Sequence, residues 1–533
     1  MKTRMKYRNP VLPGFYPDPS AIRVGDDYYL ATSTFEYFPG VPLFHSKDLV
    51  SWKQIGNVLT RSSQVDMLSR KSSEGIYAPV LRHHEGVFYL ITTDVYGIGN
   101  FYVTAADPAG PWSDPIRIPY GNIDPSLFFD EDGKVYVSAQ SGFGETSHII
   151  QYEIDIETGA ALTEPVVVWE GDEGPWVEGP HLYKINGLYY MMTASGGTGP
   201  QHREIIGRSE SPYGPFEMLP HPILTHNRLS DHPIQYTGHV ELIDDSAGNW
   251  WALFLGVRPR NANGSVLGRE TFLAPVQWVD GWPMIDNNEG HVGLEMEVEL
   301  EHAAWDCGAA QVEESLESSR VAADSHVYTD FASLQLLGPE WLYTRVLPSA
   351  DAVRLSEDGL TLIGNRHTLR DGASNVFVCR RQQHHEMRIE TKLSFAPVSD
   401  GEYAGLAARL SDGAYCAIGL KRREGALGIA SAIVRKGETE EQFVALEAAG
   451  YGDGAGEAQL AIRSNEEEYE LLYSLDGEHW LSAGAASADG LTPDSEGAFT
   501  GVCVGMFVNG TPEEENQSAP AHFRYFDYQG TED

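Results

Sequence analysis

Asp18, Asp124 and Glu178 each head a short apolar segment: Asp18-Pro-Ser-Ala-Ile-Arg, Asp124-Pro-Ser-Leu-Phe-Phe and Glu178-Gly-Pro-His-Leu-Tyr. His239 opens a similar one, Gly238-His-Val-Glu-Leu. Carboxyl groups gathered around one bond can split an acetal. One of them, kept protonated, donates to the leaving oxygen, while an ionised one activates water on the opposite face or attacks directly. A third carboxylate beside the donor raises its pKa by like-charge repulsion and keeps it protonated near neutrality. A single Asp-Pro-Ser is more simply a turn whose Asp accepts backbone N–H groups. Two copies at matching positions, with a Glu heading a third, favour a shared site.

Residues so far apart meet only if the fold repeats, and the first half of the chain does. A turn followed by a short aromatic strand recurs five times: Gly25-Asp-Asp-Tyr-Tyr-Leu-Ala-Thr32, Glu85-Gly-Val-Phe-Tyr-Leu-Ile-Thr92, Asp132-Gly-Lys-Val-Tyr-Val137, Asn186-Gly-Leu-Tyr-Tyr-Met-Met-Thr193 and Ala247-Gly-Asn-Trp-Trp-Ala252. Asp-Gly and Asn-Gly are hairpin signals, and the residues after them favour strand. The copies recur at intervals of about 50–60 residues, enough for a four-stranded propeller blade with variable loops. The segments led by Asp18, Asp124, Glu178 and His239 lie just upstream of these strands, with Ala78-Pro-Val-Leu-Arg as the fifth, and are expected to be the innermost strands. Their first residues then converge on one mouth of the central channel. Ser46–Trp52, Asp107–Trp112 and Ser211–Phe216 read as outer-strand signatures.

Beyond residue 300 the pattern changes. Residues 301–325 fall in an acidic stretch without periodicity and read as a linker. Alternating segments such as Met387–Phe395, Glu470–Leu475 and Phe523–Tyr528 follow, separated by Gly and Asp turns. The expectation is an all-β chain: a five-bladed β-propeller over 1–300, then an antiparallel β-sandwich over 326–533.

The balance of 77 acidic against 37 basic residues, a net −40, argues against a nucleic-acid partner or an anionic membrane surface. A neutral ligand such as a sugar fits. No apolar run is long enough to span a membrane, and no apolar h-region follows the basic N-terminus, so the expected location is cytoplasmic. The four cysteines, Cys307, Cys379, Cys416 and Cys503, lack C-x-x-C spacing and read as buried free thiols.

Several motifs together closely resemble glycoside hydrolase family 43, in its two-domain β-xylosidase and α-L-arabinofuranosidase branch. They are Asn9-Pro-Val-Leu-Pro-Gly-Phe-Tyr-Pro-Asp-Pro-Ser20, Thr32-Ser-Thr-Phe-Glu-Tyr-Phe-Pro-Gly-Val-Pro42, His45-Ser-Lys-Asp-Leu-Val50, Ile123-Asp-Pro-Ser-Leu-Phe128, Val177-Glu-Gly-Pro-His-Leu-Tyr183 and Leu267-Gly-Arg-Glu-Thr-Phe272, with Phe499-Thr-Gly501 in the second half. The resemblance implies an inverting, exo-acting hydrolase that releases terminal xylose or arabinofuranose from xylo- and arabinoxylo-oligosaccharides, with its carboxyl groups about 6.5–9.5 Å apart.

By resemblance Asp18 matches the general base, Glu178 the general acid, and Asp124 the third carboxylate that tunes the acid. Arg269 matches an arginine that contacts the terminal sugar; its alternative is a salt bridge to Glu270 or another acidic neighbour. Phe35 and Tyr77 match aromatic residues lining the sugar pocket, and Phe499 an aromatic that the sandwich lends to its rim. His239 matches a histidine beneath the site, which in some relatives helps hold Ca²⁺ and in others only hydrogen-bonds the carboxyl cluster. No cofactor is required by this chemistry. A homodimer or homotetramer is implied by the family alone.

The chain departs from the pattern at two places. Tyr77 stands where many β-xylosidases of the branch carry Trp, and Ser195 where many carry Glu. Phe254-Leu-Gly-Val-Arg-Pro259 resembles a subgroup in which arabinofuranosidase activity is frequent, so the released sugar stays open between xylose and arabinose. The rivals are an endo-arabinanase, which needs an open groove, and a non-catalytic carbohydrate-binding propeller, which needs no acidic strand leaders.

Overall fold

Hairpins build the first half of the molecule. In the computed structural model, which describes residues 3–260, 264–300, 325–446, 456–511 and 518–531, Glu85-Gly86 and Asn186-Gly187 each place two successive residues at positive φ. That is the turn whose twist matches paired strands. Each hairpin grows into an antiparallel blade. The first runs Ser20–Val24, Asp27–Ala31, Gly40–Ser46 and Lys53–Leu59 from hub to rim. The remaining four begin at the hub with Val80–His84, Ile123–Phe129, Glu178–Ile185 and Gln235–Asp244. Five blades around one axis make the expected propeller.

The segments expected to be outer strands differ in one respect. They form the turns that lead into the fourth strands, as where the Asp48 carboxylate accepts from the amides of Val50 and Ser51 ahead of Lys53–Leu59. Proline and Asp in those motifs favour turns over ladder positions.

The ring is closed by the chain's own beginning. Strand Thr3–Arg8 pairs with Glu295–Leu300 beyond the fifth blade. Asn9 then exchanges two 2.9 Å hydrogen bonds with the backbone of Leu273, and the Tyr16 amide donates to Arg269 O at 3.1 Å. The N-terminal segment therefore lies along the strand that follows Arg269, and Asp18 comes next in sequence.

The linker expected over 301–325 lies outside the described residues except for Ser325, which begins strand Ser325–Asp330. Cys307 lies there too; Cys379, Cys416 and Cys503 are buried free thiols. The second half is a sandwich of a nine-stranded and a six-stranded sheet. Glu386–Phe395 alternates buried and less buried residues, as a strand with one solvated face should. Strand Tyr403–Ser411 is buried along its whole length. Ala404, Leu406, Ala408 and Leu410 face the sandwich core, while Tyr403 and Ala407 join Phe15, Phe35 and Tyr37 of the propeller in a second apolar cluster. The two halves share a core at this seam. Among the described residues no helix is long and apolar enough to cross a membrane.

Two arginines of the sandwich are wholly buried at the seam. Arg409 binds Tyr37 Oη at 2.9 Å and Asp412 at 2.7 Å, and lies 3.5 Å from the buried Glu36 carboxylate. Arg345 reaches Asp412 at 2.5 Å and donates to the carbonyl of Arg70. A buried guanidinium is tolerated only when acceptors surround it, so these contacts fix how the halves meet.

Candidate active site

The hub strands open with a shared distortion. Asp18, Asp124, Gly179 and His239 all sit in the left-handed region, with φ of 56°, 51°, 58° and 53°. Strand pairing skips at the same point in three blades, between Ile123 and Ser126, Glu178 and His181, and Gly238 and Glu241. Such bulges re-aim side chains. The register corrects one expectation: Glu178 is not the counterpart of Asp18 and Asp124. That position belongs to Gly179, and Glu178 stands one residue earlier, matching Ile123 and Tyr77. A Cβ on Gly179 would come within 2.9 Å of the His239 ring, so glycine makes room there for the histidine.

Asp18 is 5% exposed, receives Arg269 Nη1 at 3.0 Å and the Ser33 hydroxyl at 2.5 Å, and has His239 Nδ1 3.8 Å away. Burial alone would raise its carboxyl, but the Arg269 guanidinium, His239 and the Ser33 hydrogen bond together hold it below its ordinary value. Glu178 is in the opposite condition. Burial, then repulsion from Asp124 and Asp18, pushes it well above the usual range, and Arg269 only partly offsets this. Asp124 is also raised, by burial and by Asp18, despite the Gly179 amide 3.0 Å from its Oδ2. The surroundings thus favour the ionised form of Asp18 and the protonated form of Glu178 within one cluster.

Arg269 does not pair with Glu270. That carboxylate is held by Arg258 at 2.7 and 2.9 Å and by the Gly14 amide at 2.7 Å. Arg269 instead joins Asp18 to the sandwich, since its Nη2 donates to Phe499 O at 3.2 Å. Phe35, Tyr77 and Phe499 form a triangle of rings with centroids 4.9, 5.7 and 5.9 Å apart. Ser73 fastens two of them: its hydroxyl accepts from the Phe499 amide at 2.9 Å, and its carbonyl accepts from Tyr77 Oη at 3.0 Å. The three rings stand together, and the sandwich supplies one of them. Ser195 does not join them: it is fully buried and donates to Asp172, which also binds Arg203 at 2.6 Å under the loop that leads into Glu178.

Several groups went unread in the sequence. His202 donates from Nδ1 to Tyr236 O at 2.9 Å, and burial pushes it down to about 4, so a neutral imidazole sits near Asp18. Asp494, from the sandwich turn Pro493–Glu496, lines a recess of about 40 Å³ with Arg269, Tyr236 and Phe499. One pleat deeper in the channel, Glu241 receives Ser20 at 2.7 Å, Arg82 at 3.0 Å and Tyr183 at 2.5 Å, with His181 3.3 Å away. The period of two could have found Ser20 and Glu241, two residues beyond Asp18 and His239; His181 lies two beyond Gly179 and so three beyond Glu178. The loop and sandwich residues carry no such signal.

His239 is itself pushed down to about 4, chiefly by burial, and lies 6.3 Å from His181 ring to ring. Ca²⁺ takes six to eight oxygen ligands. Beneath His239 the carboxylate of Glu241 is already engaged by the Arg82 guanidinium, so these residues suit an internal ion pair and not a hard cation. Among the described residues no three His, Cys, Asp or Glu side chains are grouped to hold a metal.

A five-bladed propeller whose hub mouth gathers carboxyl groups, one pushed below and one above its ordinary range, beside a cluster of aromatic rings has the architecture of a glycosidase. The comparisons agree. The model for Glycosyl hydrolases family 43 matches residues 7–283, and that for the Beta xylosidase C-terminal Concanavalin A-like domain matches 328–529. The chain belongs to glycosyl hydrolases family 43. It is 39% identical to the non-reducing end alpha-L-arabinofuranosidase BoGH43B of Bacteroides ovatus, over 98% of this chain and 94% of that one. It is 34% identical to a xylosidase/arabinosidase of Butyrivibrio fibrisolvens, over 94% and 95%. The solved structure of a Bacteroides ovatus xyloglucan PUL GH43B superposes with a TM-score of 0.86 at 36% identity, covering 98% of this chain and 99% of that one.

Proposed function

We propose that the protein is an exo-acting, inverting glycosidase that releases a terminal pentose, β-1,4-linked D-xylose or α-L-arabinofuranose, from xylo- and arabinoxylo-oligosaccharides. The reading rests on the opposite protonation of Asp18 and Glu178 at one mouth. Asp18, ionised beside Arg269, takes a proton from water as that water attacks the anomeric carbon. Glu178, protonated, gives its proton to the leaving oxygen on the other face of the ring. Asp124 favours the protonated form of Glu178 through repulsion. Arg269 holds Asp18 in place and offers its remaining N–H groups to the terminal sugar. Phe35, Tyr77 and Phe499 give that sugar an apolar wall.

Closure of one side by Phe499 and Asp494 favours a blind pocket and exo attack over an open groove. The names of the relatives support a pentose of either kind. The three buried free thiols are consistent with work in the cytoplasm on short imported oligosaccharides. The family resemblance extends the proposal to a homodimer or homotetramer, which light scattering decides.

The test is hydrolysis of xylotriose and of nitrophenyl β-D-xylopyranoside and α-L-arabinofuranoside, with the first-formed anomer followed by NMR. Release of α-xylose from a β-xyloside, or of the β-anomer from an α-arabinofuranoside, is expected. Retention of configuration, or turnover of neither sugar, sinks the reading.

A further inference from the structure

A cavity of about 390 Å³ lies away from the carboxyl cluster, in the seam between the N-terminal segment, the outer edge of the first blade and the sandwich. Three arginines line it, Arg8 from the propeller and Arg380 and Arg381 from the sandwich strand Val376–Arg381. Among the described residues none of the three is paired with a carboxylate. Arg381 is 2% exposed, and its Nε, Nη1 and Nη2 have no hydrogen-bond partner. Its guanidinium lies 4.4 Å from the Tyr16 ring centre and 5.4 Å from that of Phe15, and Arg380 stands 5.3 Å over Tyr528. The rings hold these cations in place without cancelling their charge.

In a chain with twice as many acids as bases, Arg381 is buried without a partner, and among the described residues Arg8 and Arg380 beside it form no carboxylate pair, so the cavity suits an anion. Glu340 is the one carboxylate in the lining, against three cations. The rest of the wall is suited to a sugar: Trp52 and Tyr16 offer aromatic surface, and Gln54 and Gln383 offer amides. Arginine forks recognise carboxylates in two-point fashion, and the volume falls in the range of small-ligand sites.

We propose that this cavity binds a small carboxylated saccharide, a hexuronate unit, at a site separate from the pocket of Asp18 and Glu178. The carboxylate is held by Arg8 and Arg380 with Arg381 behind them, and the ring lies against Trp52 and Tyr16.

Titration calorimetry of the full chain at low salt tests this with sodium glucuronate, glucose and inorganic phosphate. Glucuronate is expected to bind saturably, glucose not at all and phosphate more weakly than glucuronate. Saturating xylose is expected to leave the glucuronate heat unchanged. Arg8→Gln and Arg380→Gln, both at partly exposed positions, are each expected to weaken glucuronate at least tenfold while thermal midpoint and pentoside hydrolysis stay as in the parent. Absence of saturable glucuronate binding, equal binding by both variants, or displacement by xylose overturns the site. Tighter binding of phosphate than of glucuronate overturns its assignment to a sugar acid.

Discussion

The amide of Gly179 lies 3.0 Å from Asp124 Oδ2, a hydrogen bond that ties the fourth blade to the third one residue beyond Glu178. The acid and its neighbour are thereby held at a fixed separation, so their repulsion is built into the backbone. Burial and this repulsion raise Glu178, and Arg269 opposes the effect from the far side.

Removing the charge of Asp124 should therefore move the pH profile. The alkaline limb of kcat/KM follows loss of the proton from Glu178. With Asp124 uncharged that proton is held less tightly, so Asp124→Asn shifts the alkaline limb to lower pH. The acid limb, set by Asp18 below its ordinary value, moves less. An alkaline limb that stays in place would remove Asp124 from the tuning role.

Asp18 and Glu178 are distinguishable by leaving group. General acid and base assistance is each worth about 10²–10⁴-fold. Glu178→Ala should lose that factor on xylo-oligosaccharides but much less on nitrophenyl glycosides, whose leaving group needs little protonation. Asp18→Ala should lose it on both. Steady-state rates on the two substrate types decide the assignment, and a reversed pattern would exchange the roles.

Phe499 is anchored by Ser73 and Arg269 rather than by the sandwich core alone. Phe499→Ala should cost about 1–1.5 kcal/mol of binding, roughly tenfold in kcat/KM, while thermal stability changes little. A large fall in melting temperature with unchanged kinetics would make the ring a packing element only.

Glu241 holds the channel floor. Burial would raise its carboxyl, but Arg82 and His181 outweigh that and depress it. A depressed carboxylate stabilises the fold above its unfolded value and loses that contribution as pH falls toward the folded one. Glu241→Gln leaves Arg82 buried without its counter-charge and should cost about 3–5 kcal/mol near neutrality. Denaturant midpoints should also fall less steeply on acidification than in the parent. An unchanged midpoint at pH 7 would contradict the account.

Much of this was legible in the chain itself, for local reasons. The five hairpins announce themselves because turn and strand preferences act within a few residues, and the channel-lining role of Asp18, Asp124 and His239 follows from counting blades. The register of Glu178 is carried by Pro180, which matches Pro19 and Pro125 and so puts Gly179 at the position of Asp18 and Asp124; side-chain chemistry alone points to the wrong residue. Asp494 and His202 lie on connections with no period to betray them. Arg345 and Arg409 look like ordinary strand residues, and their burial depends on a face of the other half of the molecule. The outer-strand motifs were placed one element early, since Pro and Gly there speak for the turn and not for the strand it precedes.

The seam has a consequence for synthesis. Strand Tyr525–Thr531 pairs with two others in the nine-stranded sheet, so the sandwich cannot close until residues 525–531 have left the ribosome. Phe499 cannot be seated against Phe35 before then. A nascent polypeptide whose wheel is already complete would still lack one wall of its sugar pocket, and would become competent only after that strand has emerged.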